Sequence, residues 1–200
     1  MKPILRGEIL GLAEYEQIRE RFRARVIAEK KHRRVQLGPR LSVVFENRDT
    51  ALLQIQEMLR TERITRPAAV QHEIDTYNEL VPGDSELSCT VMVEIPEKEE
   101  RDAFLVAAAG LEGHVWLDAG GARVPARAAP RDGGTPDRTT AVHYLKFQLP
   151  PHIAASLRGA ATADQTVTHV ELVVDHPAYT ARATLPVHTL LSLGEDLAGG

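Results

Sequence analysis

The feature that most constrains this fold is a change of hydrophobic period at Pro82-Gly83. Before this dipeptide, apolar residues recur at spacings of three and four, as in amphipathic helices. After it, the stretch from Leu87 to Ile95 alternates apolar and polar residues, as in a strand with one buried face. We therefore predict an α+β protein with a helical N-terminal segment (residues 1–85) packed on a mostly antiparallel sheet (residues 86–200). One continuous domain is the alternative division.

Three helices are predicted in the N-terminal segment, over residues 13–34, residues 50–62, and from residue 67 to the Pro82-Gly83 break. Asn47 or Asp49 is expected to cap the second helix, and Pro67 suits the first turn of the third. A short β-like run at residues 41–46 separates the first two helices. The segment is thus predominantly, but not entirely, helical.

Residues 86–200 contain one order of elements twice. In each copy a strand meets proline, a helix of about ten residues follows, and two strands joined by a tight turn complete the copy. The interval from Pro96 to the Gly120-Gly121 turn is 24 residues, and that from Pro150 to the His176-Pro177 turn is 26. Two β-α-β-β units would give a mostly antiparallel sheet with both helices on one face. Chance recurrence of common elements is the competing explanation.

Composition excludes several classes of protein. No apolar run approaches the roughly 20 residues of a membrane span, and the N-terminus lacks a signal-peptide core. Cys89 is the single cysteine, so we expect no intramolecular disulfide and a buried, inert thiol. The sequence contains no phosphate-binding glycine loop and no nucleophile elbow. We expect a cytoplasmic protein that does not bind a membrane, and we predict no cofactor.

Charge is distributed unevenly along the chain. Residues 1–40 carry 11 Lys and Arg against 5 Asp and Glu, whereas residues 41–100 carry 5 against 13. We expect the two poles to pair inside the fold, which argues against a nucleic-acid partner for the basic helix ending at Lys30–Arg34. The predicted pairs join Arg19, Arg23 or Arg25 to Glu57, Glu73 or Glu79.

The densest polar stretch, residues 46–79, is the candidate functional region. On the second helix one apolar side chain lies among polar ones, and on the third helix polar residues project away from the apolar stripe. We predict a partner-binding surface made of Leu53, Gln56, Glu57, Arg60, His72, Asp75 and Glu79. A weaker hypothesis places a metal ion at Glu57, His72 and Glu73, although adjacent helical residues such as the last two diverge by about 100°.

Five segments resemble an uncharacterised bacterial family known as a domain of unknown function. They read RGEIL (residues 6–10), VFENRDT (44–50), QIQEMLR (54–60), QHEID-x-YNEL (71–80) and DHP-x-Y (175–179). The resemblance spans almost the full length and is strongest in the first 95 residues. Members of that family are often encoded beside a rubrerythrin-like protein and an iron–sulfur protein resembling heterodisulfide-reductase subunits. The resemblance therefore implies an accessory place in a redox system, which is an association and not a mechanism.

These observations order three hypotheses. The first is a non-catalytic accessory or assembly protein that uses the polar helical segment to bind a redox or iron–sulfur protein. The second is a metal-dependent oxidoreductase subunit, and the third is a nucleic-acid-binding regulator. A homo-oligomer is compatible with each of them.

Overall fold

The protein is described by a computed structural model over residues 1–128, 137–161 and 169–199. Asn47 caps the second helix, because its Oδ1 accepts the Thr50 amide at 3.0 Å while its own amide donates to the Thr50 hydroxyl at 2.9 Å. This confirms one of the two predicted caps, and Pro67 opens the third helix as expected. The helices in these ranges are α1 (Leu12–His32), α2 (Arg48–Thr61), α3 (Pro67–Asn78), α4 (Lys98–Ala107), α5 (Pro151–Ala161) and α6 (Val187–Gly199).

The strands form one eight-stranded sheet in which every described pairing is antiparallel. Their order across the sheet is β1-β2-β3-β6-β5-β4-β7-β8. The predicted combination of helices with a mostly antiparallel sheet is therefore confirmed. In chain order the strands are β1 (Arg34–Leu37), β2 (Leu41–Glu46), β3 (Glu86–Val93), β4 (Val115–Ala119), β5 (Ala122–Ala128), β6 (Val142–Gln148), β7 (Val170–His176) and β8 (Tyr179–Thr184).

The sheet curls until its two edge strands approach each other, so it is nearly closed like a barrel. Tyr179, the first residue of β8, donates its hydroxyl to the Leu37 carbonyl at 2.7 Å and accepts the Arg40 amide at 3.3 Å. Leu37 ends β1, and the turn that follows it contains Gly38 with φ of +70°. A single tyrosine thus joins the last strand to the first hairpin.

Two hydrophobic clusters lie on opposite faces of the sheet. The larger one fills the concave face, where Phe45 and Phe147 from the strands meet Phe104, Leu157 and Leu190 from α4, α5 and α6. Cys89 lies in this cluster and is fully buried, which confirms its predicted burial, and the burial raises the pKa of its thiol. The smaller cluster joins Ile4 and Ile9, which precede α1, to α2 and α3, and Tyr144 of β6 packs against it.

Two self-contained β-α-β-β units are not confirmed. The order of elements does recur, since β3-α4-β4-β5 is followed by β6-α5-β7-β8. However, β6 lies between β3 and β5, so the strands of the two copies interleave across the sheet. Each copy completes its backbone hydrogen bonds with the other, and linear order along a chain does not specify that pairing.

The sheet also crosses the predicted boundary at residues 85 and 86. β2 pairs with β3 along its whole length, from Leu41 opposite Val93 to Glu46 opposite Ser88. The sequence does not predict β1, which is only four residues long; the helix expected over residues 13–34 ends two residues early, at His32, and the chain enters the sheet at Arg34. The sequence also predicts a loop at residues 128–138 and a strand that begins at Thr166. Residues 129–136 of this loop and residues 166–168 of this strand lie outside the described residues.

Among the helices that the structure describes, none combines the length and the apolar character needed to cross a bilayer.

Candidate functional site

The polar side of α2 faces α1 and the N-terminal segment. Leu53 and Gln56 are only 8% and 2% exposed. The Gln56 side chain accepts the Leu10 amide at 2.8 Å and donates to the Leu10 carbonyl at 3.3 Å, so it holds the residues before α1 in place. The predicted exposure of Leu53 and Gln56 is wrong, because periodicity identifies a polar helix face but not the neighbour that covers it.

Glu57 joins α2 to α1 through an ion pair. Its two oxygens accept Nε and Nη2 of Arg19, each at 2.8 Å, and Oε1 also accepts the hydroxyl of the buried Tyr15 at 2.7 Å. The Arg19 guanidinium, with help from Tyr15, lowers the pKa of Glu57. Burial raises the pKa of Tyr15, and its donation to Glu57 adds to that rise. The predicted pairing of Arg19 with Glu57 is confirmed.

Replacing Glu57 with alanine is expected to lower the free energy of unfolding by about 1–3 kcal/mol, because the buried Tyr15 hydroxyl loses its acceptor. The exposed Glu79→Ala is the control and should change stability by less than about 0.5 kcal/mol. Urea unfolding at neutral pH measures both. Equal effects of the two substitutions would contradict a bracing role for Glu57.

The same ion pair sets a pH dependence. The pKa of Glu57 is lower in the fold than in the unfolded chain, so its stabilisation is present above the ordinary glutamate pKa and is lost as pH falls through the folded value. The difference between wild type and Glu57→Ala should therefore shrink below about pH 4. Urea unfolding repeated at pH 3.5 tests this, and a constant difference would argue against the ion pair as its source.

Other charges of the two poles also pair within the fold. Arg25 binds Asp49, Arg60 of α2 lies 3.1 Å from Glu16, and no described carboxylate pairs with Arg23. The Arg25–Asp49 pair, like Arg19–Glu57, neutralises part of the basic face of α1, whereas the Arg60–Glu16 pair joins the two helices with the charges reversed. This outcome supports the pairing that the charge pattern predicts.

The outer face of α3 differs, because none of its charges has a partner on another element in the described part of the chain. His72, Asp75 and Glu79 are exposed, as predicted, and Glu73 is half-buried. Asp75 accepts a hydrogen bond from Gln71 one turn earlier on the same helix, at 2.8 Å. Within residues 1–128, 137–161 and 169–199, neither Glu73 nor Glu79 forms an ion pair, so their predicted pairing with α1 arginines is wrong.

Glu57, His72 and Glu73 are not assembled as a metal site. Both oxygens of Glu57 are engaged by Arg19 and Tyr15, on the side of α2 that faces α1. No group of three or more His, Cys, Asp or Glu side chains with metal-binding geometry occurs in the described part of the chain. The carboxylate and imidazole positions identified in the sequence therefore belong to separate faces.

Sequence reasoning missed a buried polar cluster beneath the end of α1. Arg33 is fully buried, and its guanidinium donates to the Phe45 carbonyl at 2.9 Å, to the Ser192 hydroxyl at 2.6 Å and to Asp196. Burial raises the pKa of Asp196, an effect that the Arg33 charge only partly offsets. One signal was available: Arg33, the residue after α1, lies seven positions after the buried Val26 and so continues the same helix face.

A second buried charge, Glu46, lies at the end of β2. Its side chain is 1% exposed, Oε1 accepts the Thr90 hydroxyl at 2.7 Å, and Oε2 lies 3.5 Å from Nζ of Lys30. Lys30 thus pairs with a buried carboxylate inside the fold, although the sequence predicts a solvent-exposed basic face there. The pair ties α1 to the sheet close to Arg33, whose guanidinium donates to the carbonyl of the same Glu46 at 3.4 Å.

The DHP-x-Y segment has structural tasks. Asp175 accepts the Trp116 indole at 2.8 Å, and His176 accepts the Ala178 amide at 3.1 Å and contacts the Ala109 carbonyl at 3.1 Å. Since Nδ1 of His176 is an acceptor, Nε2 carries the proton and donates to Ala109. Tyr179 closes the sheet, so this segment is explained by architecture without a ligand.

Comparisons with known proteins give the same fold and no activity. The model of a family described as "Protein of unknown function (DUF3501)" matches residues 3–197. A crystal structure described as a novel protein of unknown function from Burkholderia pseudomallei is 34% identical, with a TM-score of 0.89, and the match covers 98% of this chain and 100% of that one. No protein with a curated description matches this chain.

Proposed function

The chain belongs to the DUF3501 family of proteins of unknown function, and on that premise we propose a role from its own surface. It is a cytoplasmic, non-catalytic accessory or assembly protein that binds a partner protein through the outer face of α3. The partner is a redox or iron–sulfur protein, as the resemblance to a family encoded beside such proteins implies. Binding uses His72, Asp75 and Glu79, with Glu57 and Arg60 acting only as supports of the helical layer.

One observation carries this proposal, namely the contrast between paired and unpaired charges. Charged residues of α1 and α2 such as Arg19, Glu57 and Arg60 hold the helices together. The exposed carboxylates of α3 hold nothing outside their own helix in the described residues, although α3 is fixed on its inner side by Val70 and Ile74. A rigid helix with uncommitted polar side chains is a suitable protein-binding face, because it loses little backbone entropy on binding.

The test is a triple substitution on α3. His72→Ala, Asp75→Ala and Glu79→Ala together should change the free energy of unfolding by less than about 0.5 kcal/mol per site, because exposed residues contribute little to stability. The same variant should lose co-purification with a rubrerythrin-like or iron–sulfur protein of its native host. Thermal unfolding and co-purification from the native host measure the two effects separately.

A matched control removes one imidazole and two carboxylates elsewhere. His152, Glu97 and Glu99 are exposed on or beside α5 and α4, and no described residue forms an ion pair or hydrogen bond with their side chains. Replacing these three with alanine should leave co-purification intact. Equal loss in both variants would remove the case for α3. Failure of the wild-type protein to co-purify with either kind of protein would refute the proposal of a redox partner.

A further inference from the structure

We propose that His32 and His188 form a two-imidazole site for a transition-metal ion such as Zn²⁺ or Ni²⁺. His32 is the last residue of α1, and His188 is the second residue of α6. They are 156 positions apart in number, and the fold alone brings their rings together. This inference goes beyond the proposed function and does not involve the face of α3.

The distance between the two rings suits one shared ion. Their centroids are 5.4 Å apart and their planes cross at 77°. Two imidazoles on one tetrahedral zinc, with Zn–N bonds of about 2.0–2.1 Å, have ring centres about 5 Å apart. Rotation of either ring about its side-chain bonds can turn a nitrogen towards the space between them without moving the backbone.

Both rings are available to a ligand. His32 and His188 are exposed, and neither imidazole forms a hydrogen bond or ion pair with any residue of the described ranges. This separates them from His176, whose two ring nitrogens are engaged by Ala109 and Ala178. It also separates them from His143, which is buried beside Thr139.

The backbone beneath the two rings is held in place from two sides. The hydroxyl of Thr189, the residue after His188, donates to the carbonyl of His32 at 2.7 Å. Arg33, the residue after His32, is anchored on Ser192 and Asp196 one and two turns further along α6. Because the backbone that carries both histidines is held in place, an ion would require only rotation of the rings to find its two ligands.

The chemistry of the site selects the metal class. Neutral imidazole suits zinc, nickel and copper, whereas calcium and magnesium require oxygen ligands. Two protein ligands leave the remaining positions to water or to a group from outside the chain, as in zinc sites that keep an open position. The ion would therefore exchange readily and could accept a further ligand.

Isothermal titration of the tag-free protein with Zn²⁺ tests the proposal. Wild type is expected to bind one ion per chain, and His32→Ala and His188→Ala should each weaken binding at least tenfold. The control is His152→Ala, which removes an exposed imidazole from α5 and should bind as wild type does. Thermal unfolding without metal should be the same for all four proteins, which would show that loss of binding is not loss of fold.

Three results would overturn the site. They are absence of zinc binding by wild type, full binding by either single variant, and a loss in His152→Ala equal to that in the other two. The result is independent of co-purification through α3, so the two proposals can fail separately.

Discussion

Replacing Arg33 with methionine is expected to lower the free energy of unfolding by about 3–5 kcal/mol, the cost of removing one partner of a buried ion pair. The guanidinium is fully buried and binds α6 through Ser192 and Asp196 and β2 through the Phe45 carbonyl. Methionine keeps much of the volume but none of the donors. Asp196 would then be left buried without its counter-charge.

The loss of stability in Arg33→Met should depend on pH, and the burial of Asp196 determines the direction. Burial already raises the pKa of Asp196 in the presence of Arg33, and removing the arginine charge raises it further. Mildly acidic solution protonates the carboxyl and removes the cost of the buried negative charge. The deficit of Arg33→Met relative to wild type should therefore be smaller at pH 5 than at pH 8.

Chemical denaturation at the two pH values measures this prediction. Arg21→Met is the matched control, because Arg21 is exposed on α1, the helix that ends just before Arg33, and forms no ion pair in the described residues. It should change stability by less than about 0.5 kcal/mol at either pH. A similar small change in Arg33→Met would mean that the buried cluster contributes nothing to holding α6 against α1.

Replacing Gly38 with alanine is expected to destabilise the fold by at least about 2 kcal/mol, because two separate penalties act at this residue. Its φ of +70° lies in the left-handed region that L side chains rarely adopt. A Cβ atom there would also lie 2.3 Å from the Tyr179 hydroxyl and 3.0 Å from Cβ of Ala181. The substitution would push apart the two edges that Tyr179 joins.

A double-mutant cycle separates the two penalties. Tyr179→Phe alone should lower the free energy of unfolding by about 1–2 kcal/mol, since the hydroxyl bonded to the Leu37 carbonyl is lost. Added to Gly38→Ala, the same change removes the clashing oxygen, so the double variant should be more stable than the sum of the single effects predicts. The strain of the positive φ would remain.

Thermal unfolding of the four proteins measures the coupling. Gly113→Ala is the control, because a Cβ at that position would meet no atom within 4 Å and its φ is not positive. Strict additivity in the cycle would show that Gly38 is needed for its backbone conformation alone and not for the approach of Tyr179.

Local signals in the sequence predicted the elements well. The proline at residue 67, the cap at Asn47 and the alternation around Cys89 act within a few residues, and the elements that they predict are confirmed. The single buried face expected of this strand is wrong, because Ser88 and Thr90 between its apolar residues are buried as well. The same holds for the exposed positions of α3, where periodicity alone separates His72 from Ile74. Such signals depend on helix and strand geometry, which a short window of sequence contains.

The wrong predictions of exposure share one cause: they depend on which distant residue packs against a side chain. Gln56 reads as a surface residue, yet it brackets Leu10, 46 positions earlier. Arg33 reads as the end of a solvated basic run, yet Asp196 neutralises it from 163 positions away. A single sequence does not show which distant residue will lie against a given helix face, so contacts such as Gln56–Leu10 and Arg33–Asp196 could not be predicted.

The sequence by itself determined the helices, the strands other than β1, the antiparallel class and the fact that the basic and acidic poles pair, because these follow from period and charge. Only the tertiary structure decided that β6 inserts between β3 and β5, that Tyr179 closes the sheet at Gly38, and that His32 meets His188. The physical reason is that backbone hydrogen bonds and buried charges are satisfied by whichever partner the fold brings near, at any separation along the chain.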